Sequence, residues 1–261
     1  MTAPSPRFAP GTFSPAPGRG PLLRMLLAQA RTEFVLTLRN GEQLLLTMII
    51  PLGLLVGLTV LDVLPLGEPR VDEVTPRILA LAVMSTAFTG QAIALGFDRR
   101  YGVLKRLAAT ALPRWSLVAG RMLAVLGVVA VQLVLLGAVA ALLGWSPDPA
   151  GILPALVLVV AGTAAFGALG VLLGGALRAE VVLALANTVW LVLLVAGGIV
   201  LSVDALPGPL GPLAAALPSG ALAEGLQAAL VGGSAPWGAL GVLLVWALGS
   251  GVLAARTLRL S

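Results

Sequence analysis

The segment FDRRYGVLKRLAATALPRW, residues Phe97 to Trp115, concentrates charge in a chain that is otherwise nearly all apolar. It holds one acidic and five basic side chains, whereas only 10% of the 261 residues are charged and 59% are hydrophobic. A soluble domain carries roughly a quarter charged residues, and the mean hydropathy here is +1.05. The composition therefore predicts an integral membrane protein in which this segment is an aqueous connection between spans.

Six stretches are apolar and long enough to cross a bilayer as helices, which takes about 20 residues each. The predicted fold class is therefore an all-α integral membrane protein with six transmembrane helices. The six spans are approximately Gln43 to Leu61, Ile78 to Phe97, Leu117 to Leu143, Ile152 to Leu177, Val181 to Val203, and Trp237 to Ala255.

A seventh apolar stretch, Leu206 to Leu230, is interrupted by four prolines and contains Glu224. Proline inside a helix costs about 3 kcal/mol, because its N–H is missing and its ring clashes with the preceding turn. We expect a Pro-broken outer re-entrant hairpin over residues 206–230, before the sixth span. An ordinary apolar loop is the alternative.

The distribution of charge predicts the topology. With six spans, 14 of the 16 basic residues fall on one side, which the positive-inside rule assigns to the cytoplasm. The other side keeps only Arg70 and Arg77, together with seven of the 11 acidic residues. A seventh span would move Arg256 and Arg259 outside, so we expect a multi-pass protein of the cell membrane with both termini cytoplasmic.

Residues 1–20 are rich in Pro, Gly and Ser and predict a disordered cytoplasmic tail. The next segment predicts an amphipathic helix that lies at the membrane interface, although a cytoplasmic extension of the first span is an alternative. Its apolar stripe comprises Leu23, Leu27, Ala30, Phe34 and Leu38. Residues 21–261 are then a single six-span domain.

The predicted spans contain few side chains that could catalyse a reaction or bind a metal or cofactor. The chain has no Cys and no His, and Gln91, Gln132 and Asn187 are its isolated polar residues within spans. A P-loop needs Gly-Lys followed by Ser or Thr, but the only lysine, Lys105, follows Leu104. We therefore predict no catalytic residue, no metal site and no cofactor in this chain, which is not an enzyme.

Two pairs of glycines recur at four-residue spacing, Gly53 with Gly57 and Gly170 with Gly174. Such pairs let helices approach closely. Internal packing is the favoured interpretation, and a dimer contact is the alternative.

Within the charged segment, the pattern predicts a short helix from Arg100 to Leu112. Pro113 suits the start of the following helix, and Trp115 suits the membrane interface. A purely topogenic loop is the alternative. The predicted apolar face holds Leu104, Leu107, Ala108 and Ala111, and the predicted basic face holds Arg99, Arg100, Lys105 and Arg106.

The longer stretch STAFTGQAIALGFDRRYGVLKRLAATALPRWSLVAGRMLA, Ser85 to Ala124, resembles the signature region of bacterial ABC transporter permeases of the type-two exporter class. That class includes daunorubicin-type drug exporters and polysaccharide exporters. Val103 departs from the pattern where Thr is common, and Ala111 departs where Pro is common. The matching residues are Phe88, Gly90, Asp98, Arg99, Arg100, Gly102, Leu104, Arg106, Leu107, Ala109, Thr110, Leu112, Pro113, Gly120 and Arg121.

This resemblance implies a permease subunit of an ATP-driven exporter for a drug-like, lipid-like or glycan substrate. Residues 98–115 would be its cytoplasmic coupling helix region, between spans two and three, which docks on a separate ABC ATPase subunit that binds ATP and Mg. Either face of the coupling helix, or both, could meet that subunit. The implied docking residues are Asp98, Arg99, Arg100, Gly102, Leu104, Lys105, Arg106, Leu107 and Pro113.

The resemblance also implies a second permease copy, as a homodimer or a heterodimer with a related chain, surrounded by membrane lipids. No nucleic-acid partner is expected. Two other classes stay open at this point: a membrane assembly or scaffold protein without transport, and a secondary carrier. The carrier is disfavoured because the spans lack a charge near the midplane.

Overall fold

A computed structural model describes residues 20–41, 45–61, 67–109, 113–199 and 208–257. These residues form helices and connecting turns, with no β-strand in the described ranges, and the all-α prediction is confirmed. The predicted disordered tail lies outside the described residues, apart from Gly20.

The described residues up to position 142 form six α-helices. They are α1 (Leu22–Arg39), α2 (Ile50–Val60), α3 (Arg70–Met84), α4 (Gln91–Arg100), α5 (Val103–Ala108) and α6 (Arg114–Leu142). Two π-helical turns interrupt this part of the chain: Leu45–Ile49 leads into α2, and Ser85–Gly90 joins α3 to α4 without a break.

The described residues after position 142 add five α-helices. They are α7 (Ile152–Ala176), α8 (Ala179–Ala196), α9 (Leu210–Ala216), α10 (Pro218–Leu230) and α11 (Trp237–Thr257).

Five helical segments are long and apolar enough to cross a membrane: 70–100, 115–142, 149–176, 179–196 and 237–257. The predicted first span is a shorter apolar helix, Thr47–Val60, in the part of the chain that the structure describes. The helix that contains the predicted second span begins eight residues before that span, since α3 starts at Arg70 rather than Ile78. It can do so because Arg77 is neutralised within the helix by Glu73, with 2.8 Å between Nη2 and Oε1.

The segment formed by α3, the second π-helical turn and α4 is the centre of the bundle, and most of its residues are buried. Gly170 and Gly174 on α7 allow α7 to approach it. A Cβ at Gly174 would lie 2.5 Å from the carbonyl oxygen of Ala92, and one at Gly170 would lie 2.8 Å from that of Phe88. The interpretation of this pair as internal packing agrees with these contacts.

The other glycine pair behaves differently. No atom lies within 4 Å of where a Cβ would stand on Gly53 or Gly57. Internal packing was therefore the wrong interpretation for this pair, because the glycine side of α2 faces open space in the described chain.

Both π-helical turns meet the side chain of Gln132, which is fully buried on α6. Its Nε2 donates to the carbonyl of Thr47, and its Oε1 accepts from the hydroxyl of Thr86, each at 2.9 Å. On another side of the second turn, the indole of Trp190 on α8 donates to Ser85, also at 2.9 Å. These bonds tie the two turns to α6 and α8.

In the predicted hairpin, α9 and α10 are two short helices separated by Leu217, and Pro218 begins α10. Positions 206–207 lie outside the described residues. The indole of Trp246 on α11 donates to the carbonyl of Ala216 at 2.9 Å. Helix α10 is largely buried and packs against α3, α7 and α11, so the hairpin is built into the bundle.

Candidate coupling region

The chain turns sharply between α4 and α5. Gly102 adopts φ of 68°, a left-handed conformation that costs a residue with a Cβ roughly 1–2 kcal/mol. Arg106 closes the turn, since its Nη2 donates to the carbonyl of Tyr101 at 3.0 Å. The ring of Tyr101 stacks on Phe97, with 6.0 Å between the ring centroids. The helix predicted to begin at Arg100 therefore begins only at Val103.

Helix α5 has one face against the bundle and one face in the open. Leu104 is buried and belongs to an apolar cluster with Leu95 of α4, Val171 of α7 and Ala254 of α11. Leu107 is half-buried, while Lys105 and Arg106 are exposed. Among the described residues of this helix, the basic side is therefore the accessible one.

Arg99 serves the interior of the fold, contrary to its predicted place on a basic docking face. Its Nη1 donates to the carbonyls of Gly174 and Leu177, each at 3.1 Å. These carbonyls lie at the end of α7, where the last turn has no partners within the helix. Arg99 therefore caps α7 and ties the end of α4 to the end of α7.

Arg100 also has an intramolecular partner. It pairs with Glu180 in the first turn of α8, where a carboxylate suits the helix dipole. The two side chains are 50% and 62% exposed, so this ion pair contributes little stability. The guanidinium also lies 6.0 Å from the ring centroid of Tyr101. The predicted basic face is thus divided, and only Lys105 and Arg106 belong to α5.

Asp98 takes part in a buried ionic cluster that the sequence did not predict. Arg121 on α6, with a side chain only 10% exposed, donates to Asp98 and lies 3.4 Å from a carboxylate oxygen of Glu33 on α1. Two carboxylates around one buried guanidinium offset the cost of removing that cation from water. The cluster joins α1, the end of α4 and the start of α6.

Helix α1 meets α6 through the face that carries Glu33. A Cβ at Gly120 would lie 2.7 Å from the Gln29 side chain, and one at Gly127 would lie 3.1 Å from the Phe34 ring. The predicted apolar stripe is correct for Ala30 and Phe34. Leu23 and Leu27 of the same stripe are 67% and 54% exposed, and their predicted place at the membrane interface stays a prediction.

Pro113 is the residue immediately before α6, and its carbonyl accepts from the backbone N–H and the hydroxyl of Ser116, at 2.9 and 2.7 Å. Residues 110–112 lie outside the described chain. We call the end of the bundle that holds residues 98–106, Arg121, Glu180 and the end of α11 the charged end.

The charged end joins the ends of several helices. Among the described residues, no group of three or more Asp, Glu, His or Cys side chains could hold a metal ion. The contacts instead join a short helix with an open basic side to the ends of several apolar spans.

The sequence model of the ABC-2 type transporter family matches residues 24–231, well over half of the chain. The chain belongs to the ABC-2 type transporter family. The family predicted from residues 85–124 is thereby confirmed. This ABC-2 protein is a multi-span membrane permease subunit of an ABC transporter, and its family implies pairing with an ABC ATPase. No curated protein matches the chain in a sequence comparison.

Proposed function

We propose that this ABC-2 permease is the membrane subunit of an ATP-driven exporter and that α5 is its coupling helix. One observation carries the proposal: Leu104 anchors α5 to the bundle while Lys105 and Arg106 are exposed on the same helix. An ATPase subunit that docks on this basic side pushes on a helix whose other side is packed against the spans.

The contacts of the charged end connect α5 to several other helices. Leu104 packs with residues of α7 and α11, and Arg99 donates to the end of α7. Arg121 connects the end of α4 to α6 and α1. A displacement of α5 therefore moves several helices together. Such a joint movement can drive a rigid-body switch between two states.

The complete transporter in this proposal has two permease copies, alike or related, and two ATPase subunits that carry ATP and Mg. Each permease copy is a single six-span domain, with the Thr47–Val60 helix in the first span. Both termini and the charged end are cytoplasmic, α1 lies at the interface, and the α9–α10 hairpin enters from the outer side. The charge distribution of the sequence supports this orientation.

The proposed substrate is apolar or amphipathic, such as a drug-like or lipid-linked molecule. The spans offer it Ala, Gly, Leu and Val, with few polar side chains such as Asn187, which is exposed on α8. Phosphate release by the reconstituted permease–ATPase complex, measured against a panel of drugs, lipids and glycans, tests this class. Stimulation by soluble glycans alone would contradict it.

The docking role is tested by reversing the two exposed charges of α5 in a Lys105→Glu/Arg106→Glu variant. We expect co-purification with the cognate ABC ATPase to weaken at least about tenfold, because like charges across an interface repel. Permease-dependent ATP hydrolysis should fall with it.

Arg31→Glu is the matched control, since Arg31 is also exposed but lies on α1. It should bind the ATPase as the wild type does. If the α5 double variant binds the ATPase and supports hydrolysis at the wild-type level, the docking role of α5 is wrong.

A further inference from the structure

A groove of about 550 Å³ opens between α6, α7 and α11. Its volume falls within the range of small-molecule sites in proteins. Small residues create it, since Ala164 and Ala168 on α7 face Gly251 and Ala255 on α11. Val160, on its wall, is 53% exposed, so the groove is open at the side of the bundle.

The groove has the length of one bilayer leaflet. Along α6 it runs from Trp115 to Leu126, and these eleven helical steps span about 16 Å. Half of a hydrocarbon core of roughly 30 Å is about the same length. Trp115 lies at the end of the groove nearest the charged end, where an interfacial indole is expected, and it is 57% exposed. Thr163 lies on the wall near the opposite end, and the other side chains of the lining are apolar.

Two basic residues are direct neighbours in sequence of residues that form one end of the groove or pack behind it. Arg256 directly follows Ala255, a lining residue, and Lys105 directly follows Leu104, which packs with the lining residues Val171 and Ala254. Arg256 and Lys105 are both exposed.

The acidic side chains described at the charged end have other partners. Glu33 and Asp98 face Arg121, and Glu180 faces Arg100. Within the described ranges, Arg256 and Lys105 form no ion pair. The groove therefore combines an apolar slot with cationic charge that no carboxylate of the described residues balances.

We propose that this groove binds one acyl chain of an anionic phospholipid, with the lipid phosphate near Arg256 and Lys105. Basic sites beside transmembrane helices at the cytoplasmic surface suit anionic headgroups. A hydrophobic helix from a second copy would fill the apolar slot, but it would bring no negative charge to Arg256 and Lys105. The positive charge of these two residues therefore favours an anionic lipid as the occupant. Leu104 of α5 packs against Val171 and Ala254, which line the groove. A bound lipid therefore also stabilises the position of α5.

The binding test uses the full chain in detergent, without any ATPase, so its outcome is independent of the proposed docking role. Dioleoyl phosphatidylglycerol or dioleoyl phosphatidylcholine is titrated in, and bound lipid is counted by native mass spectrometry. We expect one tightly bound phosphatidylglycerol and at least roughly fivefold weaker phosphatidylcholine binding, the effect of about one ionic contact.

Two variants separate the acyl-chain site from the headgroup site. Ala164→Leu/Ala168→Leu fills the slot and should weaken phosphatidylglycerol binding by roughly tenfold, the effect of excluding about two methylene groups. Arg256→Gln should weaken it about fivefold and leave phosphatidylcholine binding unchanged. The controls are Ala184→Leu, at an exposed position of α8, and Arg31→Gln on α1, both with wild-type binding.

Three results would overturn the proposal. Equal binding of the two lipids would mean that the headgroup is not recognised. Unchanged phosphatidylglycerol binding in both the slot-filling and the Arg256→Gln variants would place the lipid elsewhere. Since the chain has no cysteine, Ala164→Cys is a single-cysteine variant, and its rapid disulfide cross-linking between copies in membranes would assign the groove to a second copy.

Discussion

At the residue scale, Arg121 is the side chain on which the charged end most depends. Its side chain is 10% exposed, and the carboxylates of Asp98 and Glu33 both face it. Removing one partner of a buried ionic cluster leaves the other charges without compensation, which costs far more than removing an exposed pair.

We predict that Arg121→Ala lowers the stability of the protein by roughly 3 kcal/mol, whereas Arg100→Ala costs at most about 1 kcal/mol because its pair is exposed. The melting temperatures of the purified variants measure the difference. Equal losses in the two variants would show that the buried cluster is not a major source of stability.

The backbone conformation of Gly102 leads to a second prediction. Its φ of 68° favours Gly and tolerates Asn, but it disfavours a β-branched residue. Gly102→Val should therefore lower the melting temperature more than Gly102→Asn. Since a Cβ at this position meets no atom within 4 Å, a similar loss in both variants would contradict a backbone origin.

The sequence pattern located the charged segment, but it did not predict the contacts that these side chains make within the fold. A local pattern shows that residues 98–106 are basic, and it cannot show that Arg99 reaches carbonyls about 75 positions away on α7. Glu33 was missed because its partner is 88 positions distant. The available signal was an Arg inside an apolar span, which requires a carboxylate nearby.

At the element scale, two glycine pairs of identical spacing have opposite surroundings. Gly174→Ala places a Cβ against the carbonyl oxygen of Ala92, and forcing α7 away from the central segment should cost roughly 1–3 kcal/mol. Gly53→Ala meets open space and should be neutral or stabilising, since Ala favours a helix. Melting temperatures test the contrast, and a larger loss for Gly53→Ala would contradict it.

Gln132 links elements through hydrogen bonds rather than through shape. Gln132→Leu removes the hydrogen bond to the Thr47 carbonyl and the acceptor of the Thr86 hydroxyl, and a buried hydroxyl left unpaired costs about 1–3 kcal/mol. We expect Gln132→Leu to destabilise more than Thr86→Val, which removes only one of the two bonds. The reverse order in thermal unfolding would argue against a linking role.

Hydropathy predicted most of these helices, because apolar length alone identifies a span. It did not predict the π-helical turns or the early start of α3. The π-helical turns depend on hydrogen bonds from side chains elsewhere in the chain. The early start of α3 depends on the local ion pair of Arg77 with Glu73. The six-residue length of α5 depends on the backbone of Gly102, which an apolar pattern does not register.

At the scale of the whole molecule, the positive-inside rule predicts that the charged end faces the cytoplasm. Single-cysteine variants can test this orientation, because the chain has no cysteine of its own. Ala235→Cys, in the exposed connection between α10 and α11, should react with a membrane-impermeant maleimide in intact cells. Ala109→Cys, exposed after α5, should react only after the cells are opened, and the opposite pattern would invert the topology.

The most direct test of the coupling claim is a photo-cross-linking measurement with benzoylphenylalanine in place of Lys105, in the assembled permease–ATPase complex. The account predicts a cross-linked product with the combined mass of one permease and one ATPase. The same probe at Arg31, exposed on α1, should give none. Cross-linking to the ATPase from position 31 but not from position 105 would contradict the role of α5 as the coupling helix.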